Sequence, residues 1–142
     1  NQPETREAAR ILALEDALET GAFSKAAAIK DLPEFYLAYA AQAAVVDGQS
    51  VDLRLTHPFN NALIDAARGR VDETTLLAMA DDLGVGNRAH AYFALAMHAA
   101  SRGDRATAAQ YFRRSAARAV GHEFPYRAAL ENAKRFESNV AK

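Results

Sequence analysis

The residues able to do chemistry in this chain of 142 are four histidines, several paired carboxylates and a run of arginines. The histidines are His57, His90, His98 and His122. A zinc site on one helix wants ligands four residues apart, as in an HExxH run, and no two of these are so spaced. The carboxylate pairs Glu15-Asp16, Asp72-Glu73 and Asp81-Asp82 are sequence neighbours. Neighbours on a helix diverge by about 100°, so no pair aims two carboxyls at one substrate. Asp72-Glu73 suits the first turn of a helix, whereas Asp81-Asp82 falls late on one, where the helix dipole opposes it. The stretch from Gly84 to Arg88 has glycines but neither the Lys-Ser/Thr nor the preceding strand of a phosphate loop. There is no cysteine to act as nucleophile, thiolate ligand or disulfide, which fits any compartment. The sequence designates no catalytic residue, no metal ligand and no cofactor, and points to a protein that is not an enzyme.

The arginines offer binding chemistry instead. Arg105, Arg113, Arg114 and Arg118 make a candidate basic patch, with Arg114 and Arg118 on one helical face at i, i+4. Guanidinium groups so placed suit an acidic protein or peptide. A formal net charge of −1 argues against a dedicated nucleic-acid binder. Residues 1–84 carry 7 Lys/Arg and 14 Asp/Glu, a net of −7, while residues 85–142 carry 10 and 4, a net of +6. Opposite fields at the two ends admit head-to-tail self-association, beside the simpler reading of solvated helix faces.

These residues must be positioned by helices. Alanine, the best helix former, fills 34 positions, and no stretch alternates as a half-buried strand would. Glycine and proline cut the chain into helices expected over 4–20, 24–31, 33–47, 57–68, 72–83, 88–102, 104–120 and 123–138. The stretch 49–56 reads as either a short helix or an irregular connector. Asn87 is a candidate cap for the sixth helix, and Pro125 is tolerated in the first turn of the last. Arg102-Gly103-Asp104 matches a tripeptide that adhesion receptors read on exposed loops. It has a sufficient structural explanation here, since Gly103 can end one helix and Asp104 cap the next. The length suits one domain, and no run approaches a membrane span. Asn1 in place of an initiating Met points to a processed exported form or a fragment of a larger protein.

An internal period of 34 residues links "ALIDAARGR" to "AMHAASRGD", with Gly69 opposite Gly103, Ala62 opposite Ala96 and Ala66 opposite Ala100. Tyr92 lies 34 residues before Tyr126. On these residues the segment 89–122 resembles the tetratricopeptide repeat. Tyr92, Leu95, Ala96, Gly103, Ala108 and Phe112 match the family's aromatic, Leu-small, turn, small and second aromatic positions. The copy at 55–88 keeps Ala62 and Gly69 but holds Pro58, Asn61 and Thr74 at other signature places. The resemblance implies a short right-handed superhelix of stacked antiparallel hairpins, the alternative being an irregular helical bundle. It divides the chain into irregular N-terminal helices over 1–54, two hairpins over 55–122 and a capping helix over 123–138. In that helix Ala128, Ala129, Ala133 and Phe136 face inward, with Arg127, Glu131, Lys134 and Arg135 outward.

In this family the first helix of each hairpin lines a concave groove. Carried over, the groove would hold Phe59 and Leu63 from the first copy and His90, Phe93, Met97 and Ser101 from the second. The expected function is a non-enzymatic scaffold or adaptor that binds a protein or peptide. The alternative is a structural or accessory helical domain whose groove is filled by its own N-terminal helices.

Overall fold

The computed structural model describes residues 3–140, with side chains for residues 5–138. Among the described residues the protein is all-α, with no strand. In chain order the helices are α1 Pro3–Glu19, α2 Phe23–Ala27, α3 Glu34–Val46, α4 Pro58–Ala67, α5 Glu73–Leu83, α6 Asn87–Ser101, α7 Arg105–Arg118 and α8 Tyr126–Val140. A short 3-10 turn, Val120–His122, separates α7 from α8. No described helix is long and apolar enough to cross a membrane.

The punctuation residues act through identifiable hydrogen bonds. After α4 the Arg70 amide donates to the Asp65 carbonyl at 2.8 Å, and after α6 the Asp104 amide donates to the Ala99 carbonyl at 2.9 Å. Both turns pass through a glycine with positive φ, Gly69 at 79° and Gly103 at 76°, which closes each helix without a steric penalty. Asp72 caps α5 by accepting from the Thr75 amide at 2.8 Å. Asp104 caps α7 by accepting from the Thr107 amide at 3.2 Å. His57 Nδ1 accepts from the Phe59 amide, and Pro58 opens α4 where a missing N–H costs nothing.

Several boundaries depart from the sequence reading. The second helix stops at Ala27, whereas residues 49–56 form the irregular connector that is one of their two readings. Asn87 is already inside α6; its side-chain amide donates back to the Gly84 carbonyl at 3.1 Å instead of capping. Pro125 precedes α8, and its carbonyl accepts the first helical bond, from the Ala129 amide at 2.8 Å.

The packing is organised around α6, which touches α3, α4, α5 and α7; α7 packs in turn on α8. The largest apolar cluster runs from Leu14 and Leu18 through Tyr39, Phe93 and Met97 to Phe112 and Phe136. A second joins Phe59, Leu63 and Leu76 to Tyr92 and Leu95. Ala96 and Ala108, both fully buried in the first cluster, are small where α6 and α7 press together.

The two ends of the chain are tied by polar contacts. The buried Asn132 amide donates to the Leu18 carbonyl at 2.8 Å, and Arg135 donates to the Glu19 carbonyl at 3.0 Å. Both satisfy carbonyls at the C-terminus of α1 that have no partner within the helix. Arg127 adds an ion pair to Glu19 at 3.0 Å. Arg135, expected outward, is therefore drawn inward by α1 and lies against Gly21.

Candidate functional site

The apolar strip expected to line a groove is core, which corrects that expectation. Phe59, Leu63, Phe93 and Met97 are all buried. They also belong to different clusters. Phe59 and Leu63 turn toward α5, whereas Phe93 and Met97 join α3 and α7. The cover differs for the two halves: α3 lies over Phe93 and Met97, and α5 with α6 closes over Phe59 and Leu63, where a ligand would otherwise have to lie. Ser101 remains exposed at the end of α6, its hydroxyl turned back onto the His98 carbonyl at 2.7 Å.

His90 lies beneath α3. Its Nδ1 stands 2.6 Å from the Tyr39 hydroxyl, and its ring meets Phe35 edge-on at 4.7 Å. Phe124 approaches from the α7–α8 connection, with ring centroids 6.3 Å apart. Burial without a counter-charge holds the His90 pKa down at about 4. Burial also pushes the Tyr39 phenol well above its ordinary value. At neutral pH both are uncharged, and the Tyr39 hydroxyl and His90 Nδ1 share one hydrogen bond. The pair links α3 to α6, with Tyr39 fully buried and His90 half-buried.

The opposite side of α6 is packed along its middle, where Tyr92 and Leu95 are buried in the second apolar cluster, and clefts reach it only toward its two ends. There α5 and α7 flank it, leaving a cleft of about 510 Å³ lined by Glu73, His98, Arg102, Thr107 and Tyr111 among others. Arg102, Gly103 and Asp104 form part of its wall, so the tripeptide is a turn at the rim of this cleft. Tyr111 donates to the Glu73 carboxylate and stacks on Tyr92 at 6.2 Å. Burial, followed by that hydrogen bond, raises the Tyr111 pKa to about 12. Farther along α6, Arg88 makes two hydrogen bonds to Asp81, at 2.7 and 2.8 Å. These bonds hold the Asp81 carboxyl below its ordinary range. They also supply the reason for an acid late on α5: its partner is on the next helix.

The basic patch divides. The Arg105 guanidinium lies over the Phe136 ring at 4.2 Å, and Arg113 grips Glu137 through bonds of 2.9 and 2.6 Å. Both are directed to α8. Arg114 covers the Tyr111 ring at 5.4 Å, and Arg118 lines a second cleft of about 360 Å³ with Asp81, Val85 and Arg88. Neither Arg114 nor Arg118 makes a salt bridge with a described residue. Among the described residues no three His, Asp or Glu side chains come together as metal ligands would.

Sequence reasoning passed over Gln42, which is fully buried on α3 with neither its amide oxygen nor its nitrogen bonded to another protein group. The signal was there, a single polar residue inside "AYAAQAAVV". It also missed the Tyr39–His90 pair, which no spacing announces across 51 residues. Compared with known proteins, the chain matches no family model, no curated protein and no solved structure.

Proposed function

We propose that this protein is a non-enzymatic helical module that binds an acidic protein or peptide through the outer surface of α7. The observation that carries this reading is the pair Arg114 and Arg118. They share one helical face beside an open cleft and are not neutralised by a salt bridge, while Arg105 and Arg113 are engaged with α8. The buried strip on α4 and α6 takes no part in binding. The pairs α4–α5 and α6–α7, closed by α8, form a short right-handed repeat of tetratricopeptide type. The matching hydrogen bonds of the turns at Gly69 and Gly103, 34 residues apart, support this. The caps that follow, Asp72 and Asp104, are 32 apart, so the first turn is two residues longer.

The test is fluorescence anisotropy with a labelled glutamate-rich peptide at low salt. Arg114→Ala/Arg118→Ala is expected to weaken binding at least tenfold, and Arg113→Ala to leave it nearly unchanged. Equal binding by the wild type and the double variant would exclude this surface.

A second reading is favoured by α3. Because that helix occupies the face of α4 and α6, the protein also suits a structural or accessory role with no open groove. Failure of the wild type to bind any acidic peptide would select it.

A further inference from the structure

Four large aliphatic side chains stay exposed among the described residues: Leu12 at 65%, Leu83 at 48%, Val85 at 93% and Val120 at 49%. They fall into two patches, each beside charged side chains.

Leu83, Val85 and Val120 gather at one end of the molecule, where the α5–α6 connection passes the turn that follows α7. A side-chain carbon placed on Gly86 would stand 3.2 Å from Val120 Cγ2. Val85 is held out between Gly84 and Gly86, whose φ angles of 106° and 96° residues with side chains rarely adopt. Its exposure is thus set by the backbone. Asp81 beside it is already neutralised by Arg88. Arg118, and Arg114 one turn earlier, are cations without salt bridges. The exposed Asp82 and Glu123 lie close to Leu83 and Val120 in the chain, so this patch is apolar with charges of both signs, and its two cations are what the acids of α1 would meet.

Leu12 lies on the half of α1 that nothing covers. Arg6, Glu7, Ala8, Ala9, Leu12, Ala13 and Asp16 are all exposed, two acids against one base. Ala8, Leu12 and Asp16 recur at four-residue spacing, so an apolar stripe ends in an acid. The other half of the helix is anchored by buried Leu14, Ala17 and Leu18. This patch is apolar and negative.

We propose that the two patches are the halves of one interface between copies of this chain. Leu12 on α1 of one copy docks against Leu83, Val85 and Val120 of the next, with the acids of α1 directed toward Arg114 and Arg118. The proposal rests on the protein-binding reading and names a second copy as the partner. The charge imbalance of the sequence, −7 over residues 1–84 and +6 over 85–142, acts in the same direction. Because the two surfaces differ, the contact is heterologous, and repeated use extends a chain or closes a ring. The patches hold one and three large exposed aliphatic side chains, far fewer than the roughly 20–30 residues a side of a stable interface. Association is therefore weak, concentration-dependent and sensitive to salt.

Sedimentation velocity over a range of protein concentrations tests this at low and high salt. Average mass is expected to rise with concentration at low salt and much less at high salt. Leu12→Asp and Val85→Asp should each abolish the rise, and thermal melting checks that both fold. If either does not, the serine variant at that position replaces it. An equal mixture of the two variants should give dimers and nothing larger, because each keeps one intact patch. A wild type that stays monomeric at every concentration overturns the proposal. So does loss of association with Val85→Asp but not with Leu12→Asp, which would mean that the tip pairs with itself. The peptide assay with Arg114→Ala/Arg118→Ala separates these failures from failure of the protein-binding reading.

Discussion

The two sides of α6 are built from the same kinds of residue and meet different fates. On the inner side, His90, Phe93 and Met97 lie under α3, and the one polar ring is satisfied by Tyr39. On the outer side, Arg88, Tyr92 and Leu95 form the floor between α5 and α7, where carboxylates, arginines and two clefts reach solvent. The contrast teaches that an apolar stripe on a helix reports that the stripe is covered, and not what covers it. A groove and a core have the same pattern. On the outer side Tyr92 and Leu95 are buried as well, and polar groups reach solvent only where the two clefts open at its ends.

The strongest way to break this contrast is Phe93→Ala. Removing a fully buried aromatic ring leaves a cavity and should cost about 3–5 kcal/mol by denaturant unfolding. Unchanged stability would return Phe93 to an open groove.

Acid is the next probe of the inner side. The His90 pKa is about 4 in the folded protein against an ordinary 6.5, so the unfolded chain takes up the proton first as pH falls. The stabilisation from keeping His90 neutral is complete above pH 6.5. It is lost as pH falls toward 4, about 3 kcal/mol in all. His90→Gln keeps a hydrogen-bond partner for Tyr39 but does not titrate. The difference between the wild-type and variant stability curves over pH 7 to 4 should show this slope, and parallel curves would refute it.

The two turns at the outer cleft sharpen the comparison further. Gly103→Ala meets no atom within 4 Å, so only the left-handed backbone opposes it, at about 1 kcal/mol. At Gly69 the added carbon would stand 2.5 Å from His98 Cε1. His98 must then leave the Ala67 carbonyl, 3.2 Å away, so Gly69→Ala should lower the melting temperature more than Gly103→Ala does.

The smallest effect expected is a gain. Gln42→Met replaces a buried amide that has no protein partner with an apolar side chain of similar volume. It should raise stability by about 1 kcal/mol in the same unfolding assay.

The helices and most of their ends were legible because their causes are local. Gly69, Gly103, Asp72 and Asp104 act on amides and carbonyls within a few residues. The shorter second helix and the place of Pro125 were not, because more than one start or stop fits residues 24–31 and 123–126. In the candidate site, the shared face of Arg114 and Arg118 followed from spacing alone. That Arg113 would be taken by Glu137, 24 residues away, and Arg105 by the Phe136 ring did not.

The sequence by itself determined that this protein is all-α, where most helices stop, and that its charge is split along the chain. Helix propensity, caps and glycine turns depend only on near neighbours. Tertiary structure alone decided that α3 covers the inner side of α6, that His90 pairs with Tyr39, and that Leu12 stays bare. Each of those outcomes depends on which surfaces meet across many residues, and burial is a property of the meeting and not of the residue.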